Sequence, residues 1–255
     1  MELIDTHCHL DVGAFEADRD AVLAASRDAG LRGIVVPAIA APGWPALRAL
    51  CAAHADLHPA YGLHPVFVAD HCDDDLVALE AQLAAGDAVA VGEIGLDHVV
   101  PGLDRDRQRA LLDAQLAIAA TAGLPVLLHV RKAHDAMLAA LRRARVPGGI
   151  AHAFNGSLEQ AGRYLDLGFR LGFGGMLTFE RSRKLRKLAR DLPPEALVLE
   201  TDAPDMAVAS HRGERNSPAY LPEVLAALAE VRDVAPEAVA AQTTRNAREV
   251  LRLAE

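Results

Sequence analysis

The stretch LIDTHCHL, residues 3–10, contains the pattern that decides the fold: a short apolar run that ends in polar side chains. His7 and His9 are two residues apart, so their side chains point to the same side of an extended chain. Similar patterns recur in AVAVGE (88–93), LPVLLH (124–129), GGIAH (148–152) and ALVLETD (196–202). This recurrence predicts several buried strands that each end at a polar residue.

Eight short apolar runs have the length of buried β-strands. They cover residues 3–4, 33–39, 59–63, 88–91, 124–128, 149–151, 169–173 and 196–199. Stretches with helical periodicity lie between them, for instance residues 18–29, 104–122, 133–144, 158–167 and 183–191, and residues 218–253 supply the last helices. This alternation is typical of βαβ units and predicts an α/β fold, a (β/α)8 TIM barrel. Because no linker interrupts the chain, residues 1–255 are expected to form a single domain.

Composition and charge exclude several classes of protein. The chain carries 26 Lys and Arg against 35 Asp and Glu, a formal net charge of −9. This balance argues against a broad basic surface for nucleic acid, but it allows a phosphate substrate that meets metal ions in a local pocket. The 3 cysteines lack the CxxC spacing of a thiolate zinc site. Without a recognisable signal peptide or membrane-spanning run, the protein is expected to be cytoplasmic and to have no membrane partner.

Polar residues follow five of the predicted strands, at the end of a barrel where active sites lie. They are His7 and His9 after the first strand, Glu93 after the fourth, His129 after the fifth, His152 after the sixth and Asp202 after the eighth. Four imidazoles and two carboxylates suit Zn²⁺ or Mn²⁺, whereas Mg²⁺ is less suited to so many nitrogen ligands. Because these ligands exceed one tetrahedral site, the sequence predicts two divalent ions that share Glu93. As alternatives, Glu93 could be a buried ion-pair partner and Asp202 a helix N-cap.

Other polar residues near the strand ends have less specific patterns. Asp5 and Asp97 are expected to orient metal ligands from behind rather than to bind an ion. His64, Arg131 and His134 could contact a phosphate, because a guanidinium offers a planar pair of donors. Surface salt bridges are an equal alternative for these three residues.

The remaining histidines and one basic run are assigned to the surface. The histidines expected to be solvated are His54, His58, His71 and His211. The basic run at residues 181–190 is interpreted as a solvated helix face, with the steering of a nucleic-acid strand as its alternative.

An ordered set of motifs carries a family resemblance. The motifs are DTHCH (5–9), GLHP (62–65), GEIGLD (92–97), LPVLLHVRKAHD (124–135), HAFNG (152–156), ETDAPDM (200–206) and RNSP (215–218). Together they resemble the TatD family of metal-dependent deoxyribonucleases among the amidohydrolase-like barrels, and ETDAPDM is similar to its YjjV-like branch. The resemblance implies that one metal is held by His7, His9, Glu93 and Asp202, and the other by Glu93, His129 and His152. Two departures, His98 after GEIGLD and Asn155 within HAFNG, are expected to affect substrate preference rather than metal binding.

These observations predict a metal-dependent hydrolase, and the resemblance implies a deoxyribonuclease of the single-stranded 3'-5' exonuclease type. A metal-bound hydroxide would attack the DNA phosphodiester, with Glu93 and Asp202 as catalytic residues and Asp202 as proton acceptor. The expected partner is DNA with single-stranded ends, and no obligate protein partner is inferred. The alternatives are an ester or amide hydrolase, such as a D-aminoacyl-tRNA deacylase or a small-molecule amidohydrolase, and a non-catalytic binding protein that keeps only the barrel.

Overall fold

Eight parallel strands follow one another in chain order around one sheet in the computed structural model, which describes residues 1–254. They are β1 (Leu3–Asp5), β2 (Leu31–Pro37), β3 (Leu57–Tyr61), β4 (Ala90–Asp97), β5 (Val126–Arg131), β6 (Gly149–Ala151), β7 (Phe169–Phe173) and β8 (Leu197–Leu199). Backbone hydrogen bonds beyond β1 and β8 join the two edges: Thr6 N donates to Leu199 O at 3.0 Å, and Asp202 N donates to His7 O at 2.8 Å. The predicted (β/α)8 barrel is confirmed.

Helices surround the strands. Those within residues 1–254 are α1 (Arg19–Asp28), α2 (Trp44–Ala53), α3 (Asp74–Leu83), α4 (Arg105–Ala122), α5 (His134–Ala144), α6 (Leu158–Leu165), α7 (Arg183–Asp191), α8 (Leu221–Arg232) and α9 (Pro236–Leu251). Local chemistry sets their ends: the Asp104 carboxylate caps α4 by accepting from the Asp106 and Arg107 amides at 3.0 and 2.9 Å. None of these helices combines the length and the apolar sequence that crossing a membrane requires.

Strand β4 extends further than its apolar run predicts. The run that predicts β4 stops at Val91, but the strand continues to Asp97 and pairs with β5 beyond an irregularity between Val91 and Ile94. Glu93 therefore lies within the strand rather than after it. In sequence, a charged residue ends an apolar run. A strand, in contrast, continues as long as its backbone forms hydrogen bonds with a neighbouring strand. At Gly95, which has a φ of +157°, a Cβ would lie 1.9 Å from the His129 carbonyl oxygen, so this pairing requires glycine.

The barrel interior is apolar at its N-terminal end. Seven strands each supply one side chain to this inner cluster: Ile4, Val35, Ala60, Ala90, Leu127, Ile150 and Val198. Ala247 and Leu251 of α9 pack against them and cover that end of the barrel. On β7 the corresponding position is Arg170, whose Nη2 lies 3.6 Å from Glu249 Oε2 on α9. Because all eight strands are parallel, their polar C-terminal ends meet at the opposite mouth.

Candidate metal centre

Glu93 lies at the centre of the candidate ligands, and each of its carboxylate oxygens faces two imidazoles. Oε2 is 3.1 Å from His7 Nε2 and 3.4 Å from His9 Nε2. Oε1 is 3.0 Å from His129 Nδ1 and 3.3 Å from His152 Nε2. Burial by itself would raise the pKa of Glu93, but the surrounding histidines outweigh burial and hold the pKa well below its usual range. Glu93 is thus a buried carboxylate that can be shared between two sets of nitrogen donors.

Asp202 approaches the same cluster from the segment after β8. Its Oδ1 lies 3.7 Å from His7 Nε2 and 3.8 Å from His9 Nε2. Its backbone has a φ of +59°, in the left-handed region that a residue with a side chain rarely adopts. Burial raises the pKa of Asp202 to about 6. The fold therefore holds an uncommon backbone conformation here, and that conformation aims a carboxylate at two histidines.

The separations around Glu93, 3.0 to 3.4 Å, fit shared coordination. Two ligand atoms that each lie about 2.1 Å from one ion are separated by about 3.0 Å in octahedral and about 3.4 Å in tetrahedral geometry. Three groups of donor atoms lie within 4.8 Å of one another: His7, Glu93 and His152; His7, His9 and Asp202; and His64, Glu93 and His129. Mixed nitrogen and carboxylate donors of this kind suit Zn²⁺ or Mn²⁺.

The far sides of two of the rings support the same interpretation. His9 Nδ1 lies 3.1 Å from the Pro37 carbonyl oxygen, and His129 Nε2 lies 3.0 Å from Asp97 Oδ2. Carbonyl and carboxylate oxygens only accept, so these ring nitrogens carry the proton. With an ion bound, the other nitrogen of each of these two rings would present its lone pair to the metal, which is the arrangement that supporting groups impose on metal-binding histidines.

His64 also reaches the cluster, but as a hydrogen-bond donor rather than as a metal ligand. Its Nε2 lies 3.5 Å from Glu93 Oε1, while its Nδ1 accepts a hydrogen bond from the Val66 amide at 3.2 Å. Burial lowers the pKa of His64, so the ring is neutral and its proton lies on Nε2. His71, predicted to be solvated, is buried instead, and its Nε2 donates to the His64 carbonyl at 3.0 Å. The prediction for His71 is therefore wrong: its ring braces the segment after β3.

Glu200 was missed by the sequence analysis. It is fully buried, its Oε1 accepts a hydrogen bond from the Ala153 amide at 2.5 Å, and the same oxygen lies 3.5 Å from His152 Nδ1. A Cβ on Gly172 would lie 2.0 Å from Glu200 Oε2, so glycine makes room for this carboxylate. The spacing of two residues between Glu200 and Asp202 matches that of His7 and His9, and this signal could have identified Glu200.

Asp5 ties the ends of the first and last strands together. Its Oδ1 accepts from the His7 amide at 3.1 Å and the Thr201 amide at 3.0 Å, and its Oδ2 accepts from the Thr201 hydroxyl at 2.6 Å. Asp5 is buried and lies outside the donor groups that could hold an ion. Its contacts set the backbone that carries His7 and Asp202.

Of the residues expected to contact a phosphate, Arg131 lies at the cleft and His134 does not. Arg131 lines the cleft at the barrel mouth, and its Nη1 lies 3.2 Å from Asp97 Oδ2. His134 is 7% exposed and lies outside the cleft lining. Its Nδ1 lies 3.2 Å from the Tyr164 hydroxyl and its Nε2 lies 3.2 Å from Asn155 Oδ1. Both ring nitrogens of His134 thus already contact neighbouring side chains, and the ring lies outside the cleft lining.

The cleft above the donor cluster has a volume of about 820 Å³. Asn155 lines it and His98 does not, so of the two family departures only Asn155 is placed to touch a substrate. Apolar side chains including Phe67 and Met176 border the opening, where they are 40% and 37% exposed. The cleft can therefore accept a ligand with apolar parts beside a charged centre.

Asn216 anchors the loop that carries Asp202. It is fully buried, and its Nδ2 donates to the Thr201 carbonyl at 2.9 Å and to the Asp205 carbonyl at 2.7 Å. Its backbone amide donates to the Pro204 carbonyl at 2.9 Å. The Asn216 side chain thus joins the backbone before Asp202 to the backbone after it.

Replacing Asn216 by Ala should lower both stability and activity. Two carbonyls lose their partner in a buried setting, which costs about 1–3 kcal/mol and lowers the Tm by roughly 3–10 °C in a chain of this size. Calorimetry and rate measurements test this, with Ser217→Ala as the control, because Ser217 Oγ makes one longer contact of 3.3 Å with the Ala219 amide. An unchanged Tm and rate for Asn216→Ala would show that the loop holds its shape without this anchor.

Comparison with known proteins places these features in context. The family model described as "TatD related DNase" matches residues 4–252. The chain is 42% identical over 232 residues to the uncharacterized metal-dependent hydrolase YjjV of Escherichia coli K12, with 90% of each chain covered. It is 34% identical to the 3'-5' ssDNA/RNA exonuclease TatD of a Pantoea species, with 99% of this chain and 100% of that protein covered.

The fold is similar to a solved structure over nearly its full length. The crystal structure of YjjV, a TatD homolog from Escherichia coli K12, superimposes with a TM-score of 0.95 at 38% identity and covers 99% of this chain and 98% of that one. A hydrolase of the TatD family from Entamoeba histolytica, at 19% identity and a TM-score of 0.86, shares the fold.

Proposed function

We propose, because this chain belongs to the TatD family of metal-dependent hydrolases, that it is a deoxyribonuclease that degrades single-stranded DNA from an end. The observation that carries the proposal is the donor cluster around Glu93, which opens into a cleft whose other charged side chains are mainly basic. The name of the Pantoea relative, a 3'-5' ssDNA/RNA exonuclease, supports the same substrate class and polarity.

We assign the cluster to two divalent ions. His7, His9, Glu93 and Asp202 would hold one, and Glu93, His129 and His152 would hold the other; the sharing of Glu93 is supported by the two imidazoles that each of its oxygens faces. When bound, such ions lower the pKa of a water molecule and stabilise charge on a phosphoryl group. Together they contribute a charge of about +4 against −2 from the two carboxylates, so the pocket is locally positive in an acidic protein.

The chain's own residues supply positioning and proton transfer. Asp202 reaches the cluster from the cleft side and accepts the proton of the attacking water, a role suited to a carboxylate whose pKa burial has raised to about 6. Arg131 and His64 Nε2 donate hydrogen bonds to the non-bridging phosphate oxygens. Behind the ligands, Asp97 and Glu200 orient His129 and His152, and Asp5 holds the backbone of His7.

Single-stranded linear DNA should be the preferred substrate. A site recessed in a barrel mouth admits a frayed or single-stranded end, whereas base pairing holds both strands of a duplex away from it. Because few phosphates can be neutralised outside the cleft, the rate should fall with salt by a slope that corresponds to about two or three phosphates.

End-labelled linear DNA, circular single-stranded DNA and blunt duplex, compared over a salt series with several divalent metals, test this preference. Equal rates on circular and linear strands would contradict entry from an end. Absence of nuclease activity with every metal would instead favour an ester hydrolase. Assays with misacylated tRNA and small esters as substrates would then detect that activity.

A further inference from the structure

The basic residues at the start of α7 have no acidic partners. Arg181, Arg183 and Lys184 line the cleft, and within residues 1–254 none of them has a carboxylate within 4.0 Å. Lys184 Nζ donates only to a carbonyl, that of Asn155, at 2.8 Å. Three positive charges thus face the cleft without neutralisation.

The rest of the same basic run is paired. Arg186 Nη2 lies 2.8 Å from Glu230 Oε1, and Arg190 Nε lies 2.9 Å from Asp191 Oδ1. Lys187 also pairs with Asp191. Each cation in the rest of the run therefore has a carboxylate partner within the protein, whereas the three at the cleft do not.

One of the unpaired cations, Lys184, is held near the donor cluster. Lys184 contacts the carbonyl of Asn155, which is three residues from the candidate ligand His152, so at most about 11 Å of backbone separates the two positions. A stacked strand carries one phosphate per about 3.4 Å, so a span of this length holds at most about three successive phosphates. Leu185 and Leu188 add apolar lining beside the cations.

We propose that Arg181, Arg183 and Lys184 form a distal phosphate subsite, which selects substrates that carry a second phosphate beside the one that reacts. The inference rests on the proposed phosphodiesterase function and names its substrate class, an oligonucleotide strand rather than an isolated diester. Three cations on one wall of the cleft would hold the strand while the scissile phosphate lies at the metal centre.

A pair of matched double variants tests the subsite. Arg183→Gln/Lys184→Gln removes two charges at the cleft, and Lys187→Gln/Arg190→Gln removes one Lys and one Arg from the paired part of the same helix. Hydrolysis of hexathymidylate and of bis(4-nitrophenyl) phosphate, which has a single phosphate, is measured for both variants over a salt series.

The cleft variant should lose at least about tenfold in kcat/KM on the hexanucleotide, mainly through KM, and its salt slope should fall by about 1.4. Its rate on the single-phosphate diester should change less than about twofold, and the control variant should match the wild type on both substrates. Equal losses on both substrates, or no loss on the hexanucleotide, would refute the subsite.

Binding separates this inference from the catalytic proposal. Fluorescence anisotropy of labelled hexathymidylate in the presence of a chelator reports the strand contact without turnover. If the cleft variant binds more weakly than the control while no variant hydrolyses either diester, the subsite stands and the nuclease proposal fails. If the wild type does not bind the hexanucleotide at low salt, the subsite is refuted.

Discussion

Glu93→Gln should lower the hydrolysis rate by more than about a thousandfold and reduce the content of bound metal. An amide keeps the volume of the carboxylate but carries no charge, and its nitrogen cannot act as a ligand. Glu93 is the group that faces both sets of imidazoles, through oxygens 3.0 to 3.4 Å from four ring nitrogens. Its loss therefore affects both proposed ions at once.

Elemental analysis after metal-supplemented purification should find up to two divalent ions per wild-type chain and a reduced content in Glu93→Gln. Circular dichroism should show an unchanged barrel, because the apolar inner cluster and α9 lie at the opposite end of the strands. A variant with normal metal content and near wild-type rate would refute the role of Glu93 as a bridge.

Asp202→Asn should reduce turnover by about a hundredfold to ten-thousandfold, in the range of a lost proton acceptor that is also a ligand. The amide cannot take up a proton from water at neutral pH. The left-handed backbone at a φ of +59° aims this side chain at His7 and His9. Asparagine tolerates that conformation, so the loop itself should not change.

Asp205→Asn is the matched control for Asp202. It lies in the same loop, also lines the cleft and undergoes the same chemical change, but its carboxylate is outside the donor groups. It should keep full metal content and activity within about twofold of the wild type, as expected for an exposed charge. If the two variants lose activity equally, the charge of the loop matters rather than the position of Asp202.

Much of the barrel was predictable because apolar runs and helical periodicity report burial directly. The end of β4 differs from its prediction for a physical reason. Strands are defined by backbone pairing, so β4 continues through Glu93 to Asp97 although its apolar run ends at Val91.

The sequence by itself determined the barrel, its order of strands and the set of donors that would meet at one mouth, because a parallel strand delivers the residue at its end to a known edge. Only the tertiary structure decided which atoms face one another. His64 Nε2 faces Glu93 Oε1 on β4, while His64 Nδ1 accepts a hydrogen bond from the Val66 amide. His134 contacts the Tyr164 hydroxyl, 30 residues away in sequence, and Asn155 Oδ1. On α7, Arg186 pairs with Glu230 of α8, which is far away in sequence. Such contacts depend on distances across the fold, which local sequence patterns do not encode.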